Sequence, residues 1–319
     1  MNQYMKILIT GCAGFIGSNF SKQFKQRFPK AEIIGIDNFV TGRKDAVSKD
    51  IIFYEGSVTD GKFLEKIFKK HRPDYVFHFA YIPRVSFSVQ FPFKTTQNNI
   101  CGTTLLLEKC RDYKVRRLIF SSSSAIYGGA KKLPTKETKN EANPLTPYAL
   151  QKYCDELMCK IFSNLYGLDT ICLRYFNVFG PGQYGDSAYS TVVSAWLSAL
   201  YFPKKKKSFL DGDGKQSRDF CYVDNVVEAN ILAMLSKKKF KGEFFNIAHE
   251  ERTNLLEVKE LIEKYSGQKI NLEKRPSRIG DVRHTHADIS QARKSFGYKP
   301  KINFKDGLRK TVAWYQKIS

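Results

Sequence analysis

Lys6-Ile-Leu-Ile-Thr10 runs directly into Gly11-Cys-Ala-Gly14-Phe-Ile-Gly17, and the reading of this stretch decides the fold. The first five residues predict a short strand that is apolar on both faces, as a strand covered by helices on both sides must be. The three glycines that follow have different uses. The first permits a tight turn, the second lets a diphosphate approach the backbone, and the third lets helix and strand pack closely. A helix predicted over 14–28 then presents its unpaired N–H groups and the positive end of its dipole to an anion. Asp37 closes the second predicted strand, about 20 residues beyond Gly17, where a carboxylate accepts from an adenosine ribose hydroxyl. A carboxylate there repels a 2′-phosphate, which favours NAD over NADP, although Arg43 and Lys44 keep NADP open.

Outward from this turn, the first half alternates between β-rich and helical patterns. Strands are predicted at 6–10, 32–37, 51–54, 75–80, 116–121 and 170–176, and helices at 14–28, 61–71, 95–113 and 147–166. This alternation predicts an α/β fold, a doubly wound parallel sheet. After Asn177 the regularity stops. A helix is predicted near 187–200, and 244–248 reads as a further strand that could return to the main sheet. The division expected is a nucleotide-binding domain over 1–176, completed by parts of 224–248, and a smaller substrate lobe mainly over 177–319.

With 42% hydrophobic residues among 319, the chain can bury a sizeable core, and global disorder is excluded. It has no run of the roughly 18 apolar residues that a membrane-spanning helix requires. The 53 basic and 31 acidic residues give a net charge of +22. Its basic runs are short and lie between structured segments, so they read as solvated surface and not as a nucleic-acid footprint. The seven cysteines are odd in number and contain no C-x-x-C, which predicts reduced thiols, a cytoplasmic setting and no metal site.

Tyr148 and Lys152 stand four apart in a helical pattern that begins at Pro147, so they share a face. Free tyrosine ionises near pH 10. A nearby ammonium favours the phenolate. Y-x-x-x-K occurs four times in the chain, but the other three are interrupted by Gly-Gly, Pro203 or Ser-Gly. Only Tyr148–Lys152 lies at a helix start and follows, at a suitable distance, a hydroxyl-rich strand end, Ser121-Ser-Ser-Ser124, from which a serine can bond a substrate hydroxyl and relay its proton.

Together these motifs resemble the extended short-chain dehydrogenase/reductase family, within it the NAD-dependent nucleotide-sugar epimerases and dehydratases, and most of all the UDP-N-acetylglucosamine 4-epimerases. The resemblance covers nearly the whole chain: T-G-x-x-G-F-I-G, S-S-S-x-x-I-Y-G, P-Y-A-x-x-K, L-R-Y-F-N-V-F-G-P, D-G-x-x-x-R-D-F-x-Y-V-D-N and R-x-G-D-V. It implies a Rossmann-type sheet with a mixed α/β C-terminal lobe. It implies that Ser123, Tyr148 and Lys152 are catalytic. It implies NAD contacts at Gly11, Gly14, Phe15, Ile16, Gly17, Asp37 and Asn38, with Phe79, Ala80 and Asn99 lining the cofactor channel. Arg84, Asn177, Arg218, Arg278 and Asp281 match substrate-side positions, with Asn177, Arg218 and Arg278 toward a diphosphate and Arg84 where a lysine or arginine often stands. One departure is visible. Relatives carry Asp where Glu55-Gly-Ser57-Val58 has Ser57, so Val58 is expected to cover the adenine with a hydroxyl in place of a carboxylate.

The residue after Ser123 is Ser124, where relatives that decarboxylate or dehydrate carry acids nearby, which argues for 4-epimerisation through a transient 4-keto sugar. Thr285, two before Ala287-Asp288, matches a gate that is small when N-acetylated sugars are admitted. UDP-N-acetylglucosamine is the substrate expected on that basis. UDP-glucose, a UDP-uronate, a decarboxylase or 4,6-dehydratase reaction, and a basic nucleic-acid-binding protein are the alternatives. The resemblance also implies a homodimer packed through the helices at 95–113 and 147–166.

Overall fold

The computed structural model describes residues 4–83, 85–130, 132–185, 191–203, 207–276 and 282–319. Six strands of the main sheet come from the first half: β1 Lys6–Thr10, β2 Glu32–Asp37, β3 Ile52–Glu55, β4 Tyr75–His78, β5 Arg117–Ser123 and β6 Thr170–Tyr175. A seventh, Lys241–Ile247, adds beside β6, and the order across the sheet is Lys241–Ile247, β6, β5, β4, β1, β2, β3. Every adjacent pair is parallel. The fold is a Rossmann-type α/β sheet wound in both directions from its middle.

The strands are apolar because both faces are covered. In β1, Ile7 and Ile9 point into one hydrophobic core and Leu8 into the other. Helix α1, Phe15–Arg27, and the helix Val223–Leu235 close the first side. Helix α2, Gly61–His71, with Gly102–Asp112 and Pro147–Tyr166, closes the second. The chain leaves β1 toward β2 and β3, then returns past β1 to β4 and continues the other way. The carboxyl ends of β1 and β4 therefore diverge and open a crevice between them.

Two expectations need correcting in detail. The strand predicted over 75–80 ends at His78, so Phe79 and Ala80 lie in the loop above the sheet. The single helix predicted over 95–113 is instead a short helix, Pro92–Thr96, a wider π-helical turn, Gln97–Cys101, and a second helix, Gly102–Asp112. The wide turn directs buried Asn99 inward, where its side chain accepts from Ile82 N at 2.9 Å and donates to Gln151 Oε1 at 2.8 Å.

The C-terminal lobe has its own core, built on Trp196, Leu210, Val258, Ile262, Leu308 and Tyr315. Its strands are short and pair across long sequence distances: Ser208–Asp211 with Leu272–Arg275, Ser217–Arg218 with Thr253–Asn254, and Val178–Phe179 with Cys221–Tyr222.

The helix Pro147–Tyr166 is fixed at both ends. Thr146 Oγ1 accepts from Ala149 N, Pro147 occupies the first turn, and Gly167 terminates it in the left-handed region at φ 70°. Deep beneath it, Glu156 takes the Arg174 guanidinium in a fork at 2.8 and 2.6 Å, with both side chains almost completely buried. Glu156→Ala strands a buried cation and is expected to cost about 3–5 kcal/mol, read as a lowered urea-unfolding free energy.

Candidate active site

The crevice between β1 and β4 continues into a cleft of about 690 Å³ that runs from the glycine turn to the C-terminal lobe. The glycines explain its narrow end. Gly11 has φ +74°, and a Cβ there would lie 2.6 Å from Ala80 N, so the β1 and β4 loops touch only because it is glycine. A Cβ on Gly17 would sit 2.1 Å from Gly11 O. Gly14 differs, because a Cβ would meet only Gly11 O, at 3.3 Å, and would otherwise project into the cleft. Gly14 is also the N-cap of α1 and offers no side chain to its N–H groups. This is a cradle shaped for a diphosphate, and with it the residues present fit NAD.

Around the cradle, Phe15, Ile16, Gly17 and Phe79 line the main cleft, and Asp37, Asn38, Val58 and Ala80 line a small adjoining recess. Asp37 accepts Ala13 N at 2.9 Å and Phe39 N at 2.8 Å. Burial raises its pKa, and these backbone donors oppose the shift. Val58 is buried in the recess, and the Ser57 hydroxyl beside it turns to Thr59 Oγ1 at 2.8 Å. Asn99 does not reach the cleft. It stands behind the wall, and its neighbour Asn98 lines the recess.

The reactive end is built on β5 and the helix after it. Its serines have separate tasks: Ser121 Oγ donates to His78 O, Ser122 Oγ donates to Glu156 Oε1, and Ser123 faces the cleft while its Oγ accepts from Ala125 N at 3.1 Å. Tyr148 lies opposite, its backbone N–H held by Ser88 Oγ at 3.0 Å. Burial pushes the Tyr148 phenol above its ordinary range, and a hydrogen bond with Ser123 pulls it back. Lys152 is buried one turn below. Its Nζ donates to Ser121 O at 2.5 Å and lies 3.3 Å from the centroid of the Tyr81 ring. Burial lowers its pKa to about 7, against the pull of Asp155 and Glu156.

At the far end, Asn177, Arg218 and Thr285 all line the cleft. Asn177 Nδ2 donates to Thr285 Oγ1 at 3.0 Å and to Asp219 O at 3.3 Å, while Arg218 is braced on Ser217 O. Thr285 Oγ1 also accepts from Asp219 N. Arg84, Arg278 and Asp281 lie outside the described residues. Sequence reading missed Tyr81, Ser88, Asn98 and Tyr184. None sits in a motif, and only the hydroxyls of Ser88 and Tyr81 marked them as polar residues in apolar surroundings.

Comparison with known proteins agrees with this geometry. Residues 7–248 match the model of the NAD dependent epimerase/dehydratase family. A UDP-glucose 4-epimerase from Thermotoga maritima, solved with UDP-glucose, is 35% identical with a TM-score of 0.92, covering 98% of this chain and 99% of that one. A UDP-N-acetylglucosamine 4-epimerase from Methanobrevibacter ruminantium, in complex with UDP-N-acetylmuramic acid, is 34% identical with a TM-score of 0.90 and 99% of each chain covered. A UDP-glucuronic acid 4-epimerase from Bacillus cereus, solved with UDP-glucuronic acid and NAD, is 30% identical with a TM-score of 0.89, covering 99% of this chain and 100% of that one.

The chain belongs to the NAD dependent epimerase/dehydratase family. It is an NAD-dependent isomerase of the extended short-chain dehydrogenase/reductase type, a UDP-sugar 4-epimerase. No helix among the described residues is long and apolar enough to cross a membrane.

The glycine geometry separates folding from cofactor binding. Gly11→Ala is expected to disrupt the turn itself. Gly14→Ala is expected to leave the melting temperature within a few degrees while weakening NAD at least about tenfold by calorimetric titration, because its methyl group takes diphosphate space.

Proposed function

We propose that this chain interconverts UDP-N-acetylglucosamine and UDP-N-acetylgalactosamine, with Tyr148 as the base, Ser123 as its hydroxyl partner and Lys152 as the cation beneath them. The observation that carries the sugar assignment is Thr285. At the end of the cleft away from the glycine turn, this small side chain lines the cleft while its hydroxyl accepts from Asn177 Nδ2 and Asp219 N. The likeness to the Methanobrevibacter ruminantium enzyme supports the same sugar.

NAD held on the glycine turn would supply the acceptor, and later the donor, of the C4 hydride. The chain's own residues do the remaining work. Ser123 orients the C4 hydroxyl and Tyr148 takes its proton. Burial alone works against this by favouring the neutral phenol, so the buried ammonium and the cofactor's charge must supply the counter-effect. Arg218 and Asn177, which line the far end of the cleft, hold the diphosphate. The 4-keto sugar turns over about that anchor in a cleft of about 690 Å³, so that it would regain its hydride on the opposite face of C4 while Tyr148 returns the proton to O4.

The same reading extends to a homodimer. Leu150, Leu157, Ile161 and Leu165 form an exposed apolar stripe at helical spacing along Pro147–Tyr166. A second copy related by a two-fold axis would bury it.

An NMR time course with UDP-N-acetylglucosamine, UDP-glucose and UDP-glucuronate in one tube tests the assignment. Formation of UDP-N-acetylgalactosamine fastest is expected, and turnover of either other sugar alone would overturn it. Tyr148→Phe is expected to lower kcat by at least about 10²-fold with NAD still bound. Thr285→Tyr should reduce kcat/KM for the N-acetylated sugar at least about tenfold and spare UDP-glucose, whereas equal losses on both would remove Thr285 as the gate. For the dimer, sedimentation of a Leu157→Glu, Ile161→Glu double variant should show a folded monomer where the parent is a dimer.

A further inference from the structure

Beneath Tyr148 and Lys152 lies a buried carboxyl group that the reaction as described does not use. Asp155 follows Lys152 by three residues on the same helix and is completely buried. Its Oδ2 accepts from Tyr81 OH at 3.0 Å and from Thr103 Oγ1 at 3.3 Å. Its Oδ1 has no hydrogen-bond partner among the described residues. A pair that served packing alone would satisfy both oxygens, since an unpartnered buried oxygen destabilises the fold.

Tyr81 connects this carboxyl to the reactive end. Its ring face carries the Lys152 ammonium at 3.3 Å, its edge meets the Tyr148 ring at 5.9 Å and 83°, and its hydroxyl ends on Asp155. The hydrogen bond of Lys152 goes to Ser121 O. A cation on an aromatic face is held by the ring's electron density, and a phenol that donates to a carboxylate has a more electron-rich ring. Tyr81 thus stands between the Asp155 carboxyl and the Lys152 ammonium, in contact with both, and Asp155 also acts on Lys152 through its field.

Asp155 is first and Glu156 second among the groups that hold the Lys152 ammonium charged, when its described surroundings are taken in turn. On its own helix, Glu156 is already forked to Arg174, Tyr148 lies above, and Cys154 and Cys159 are thiols. From β4, His78 is neutral, pushed down to about 3 by burial and by Lys152, and bridges Thr10 and Thr103. From β5 come the Phe120 ring at 4.6 Å, Ser121 and Ser122, and from β6 Cys172 and Arg174. The carboxyl that remains is Asp155. Burial raises its pKa to about 8, and Lys152 pulls against that rise.

We propose that Tyr81 and Asp155 are a positioning pair for the epimerisation, seating Lys152 under Tyr148 and keeping its ammonium charged. The proposal rests on Tyr148 being the base. Replacing the Asp155 carboxyl takes away the partner whose ionised form holds the Lys152 pKa up, so the ammonium is lost at lower pH. Tyr148 then ionises only at higher pH, and the acid limb of the kcat–pH profile moves upward.

The test is the pH profile of kcat and KM for the whole enzyme with NAD, on UDP-N-acetylglucosamine, or on UDP-glucose where that is the sugar turned over. Asp155→Asn is expected to move the acid limb up by about one pH unit and lower kcat about tenfold near pH 7, with KM changed less than about twofold. Tyr81→Phe keeps the ring and should give a smaller shift of the same sign, while Tyr81→Leu should lose more than Tyr81→Phe. Profiles superimposable on the parent in both Asp155→Asn and Tyr81→Phe would overturn the proposal. So would a fall in kcat that tracks lost thermal stability without any shift of the limb. Tyr81→Phe keeps the test open should Asp155→Asn not fold. Tyr148→Phe, run in parallel, separates the two ideas, since full activity there would refute the base and not the pair.

Discussion

The helix Pro147–Tyr166 has to bury charge, and much of the active end is arranged around that constraint. It packs across β5 and β6, so the face that carries Tyr148, Lys152, Asp155 and Glu156 points into the protein. Desolvating even one such group costs several kcal/mol unless partners offset it. The offsets are specific. Arg174 neutralises Glu156 in a bidentate fork, Ser121 O and the Tyr81 face receive Lys152, and Tyr81 and Thr103 receive Asp155. The serine run on β5 supplies hydrogen-bonding groups to both sides of this layer and leaves Ser123 for the cleft.

Another buried carboxyl, Asp219, ties the end of the seventh strand to the segment that carries Thr285. Asp219 accepts from His249 N at 3.1 Å, just beyond the seventh strand, and from Ala287 N at 3.0 Å, two residues after Thr285. Burial raises its pKa to about 7 against these backbone donors. Its own N–H donates to Thr285 Oγ1, and its neighbour Arg218 lines the cleft. The far end of the cleft is thus held to the sheet through the residue that sits between Arg218 and Phe220.

What can be read from the chain is whatever geometry forces into local spacing. The glycine turn is legible because a methyl group on Gly17 would sit 2.1 Å from Gly11 O, which forbids any side chain there. Tyr148 and Lys152 are legible because helical spacing places them on one face. The C-terminal lobe is not, because strands of two residues such as Val178–Phe179 and Cys221–Tyr222 carry no periodicity and pair far along the chain. Asn98 lines the recess while Asn99, the position matched through the resemblance, is buried behind it on a π-helical turn that no motif marks. Tyr81 and Asp155 lie 74 residues apart, and nothing in either neighbourhood announces the other.

The choice of cofactor shows how context disarms an ambiguous residue. Arg43 and Lys44 follow Asp37 closely enough to suggest a 2′-phosphate site, and a chain of net charge +22 makes such readings easy. Both cations are engaged elsewhere. Arg43 forks to Asp45 at 3.0 Å through each nitrogen and stacks over the Tyr184 ring at 4.1 Å. Lys44 reaches Glu55 at 3.8 Å and lies over Phe39. Asp37 meanwhile remains buried beside the recess, where its carboxylate accepts hydroxyls and repels a phosphate. The Arg43–Tyr184 stack spans from the nucleotide side of the cleft to the loop after Val178–Phe179, so the cation that could have selected NADP instead ties the two walls of the NAD site together.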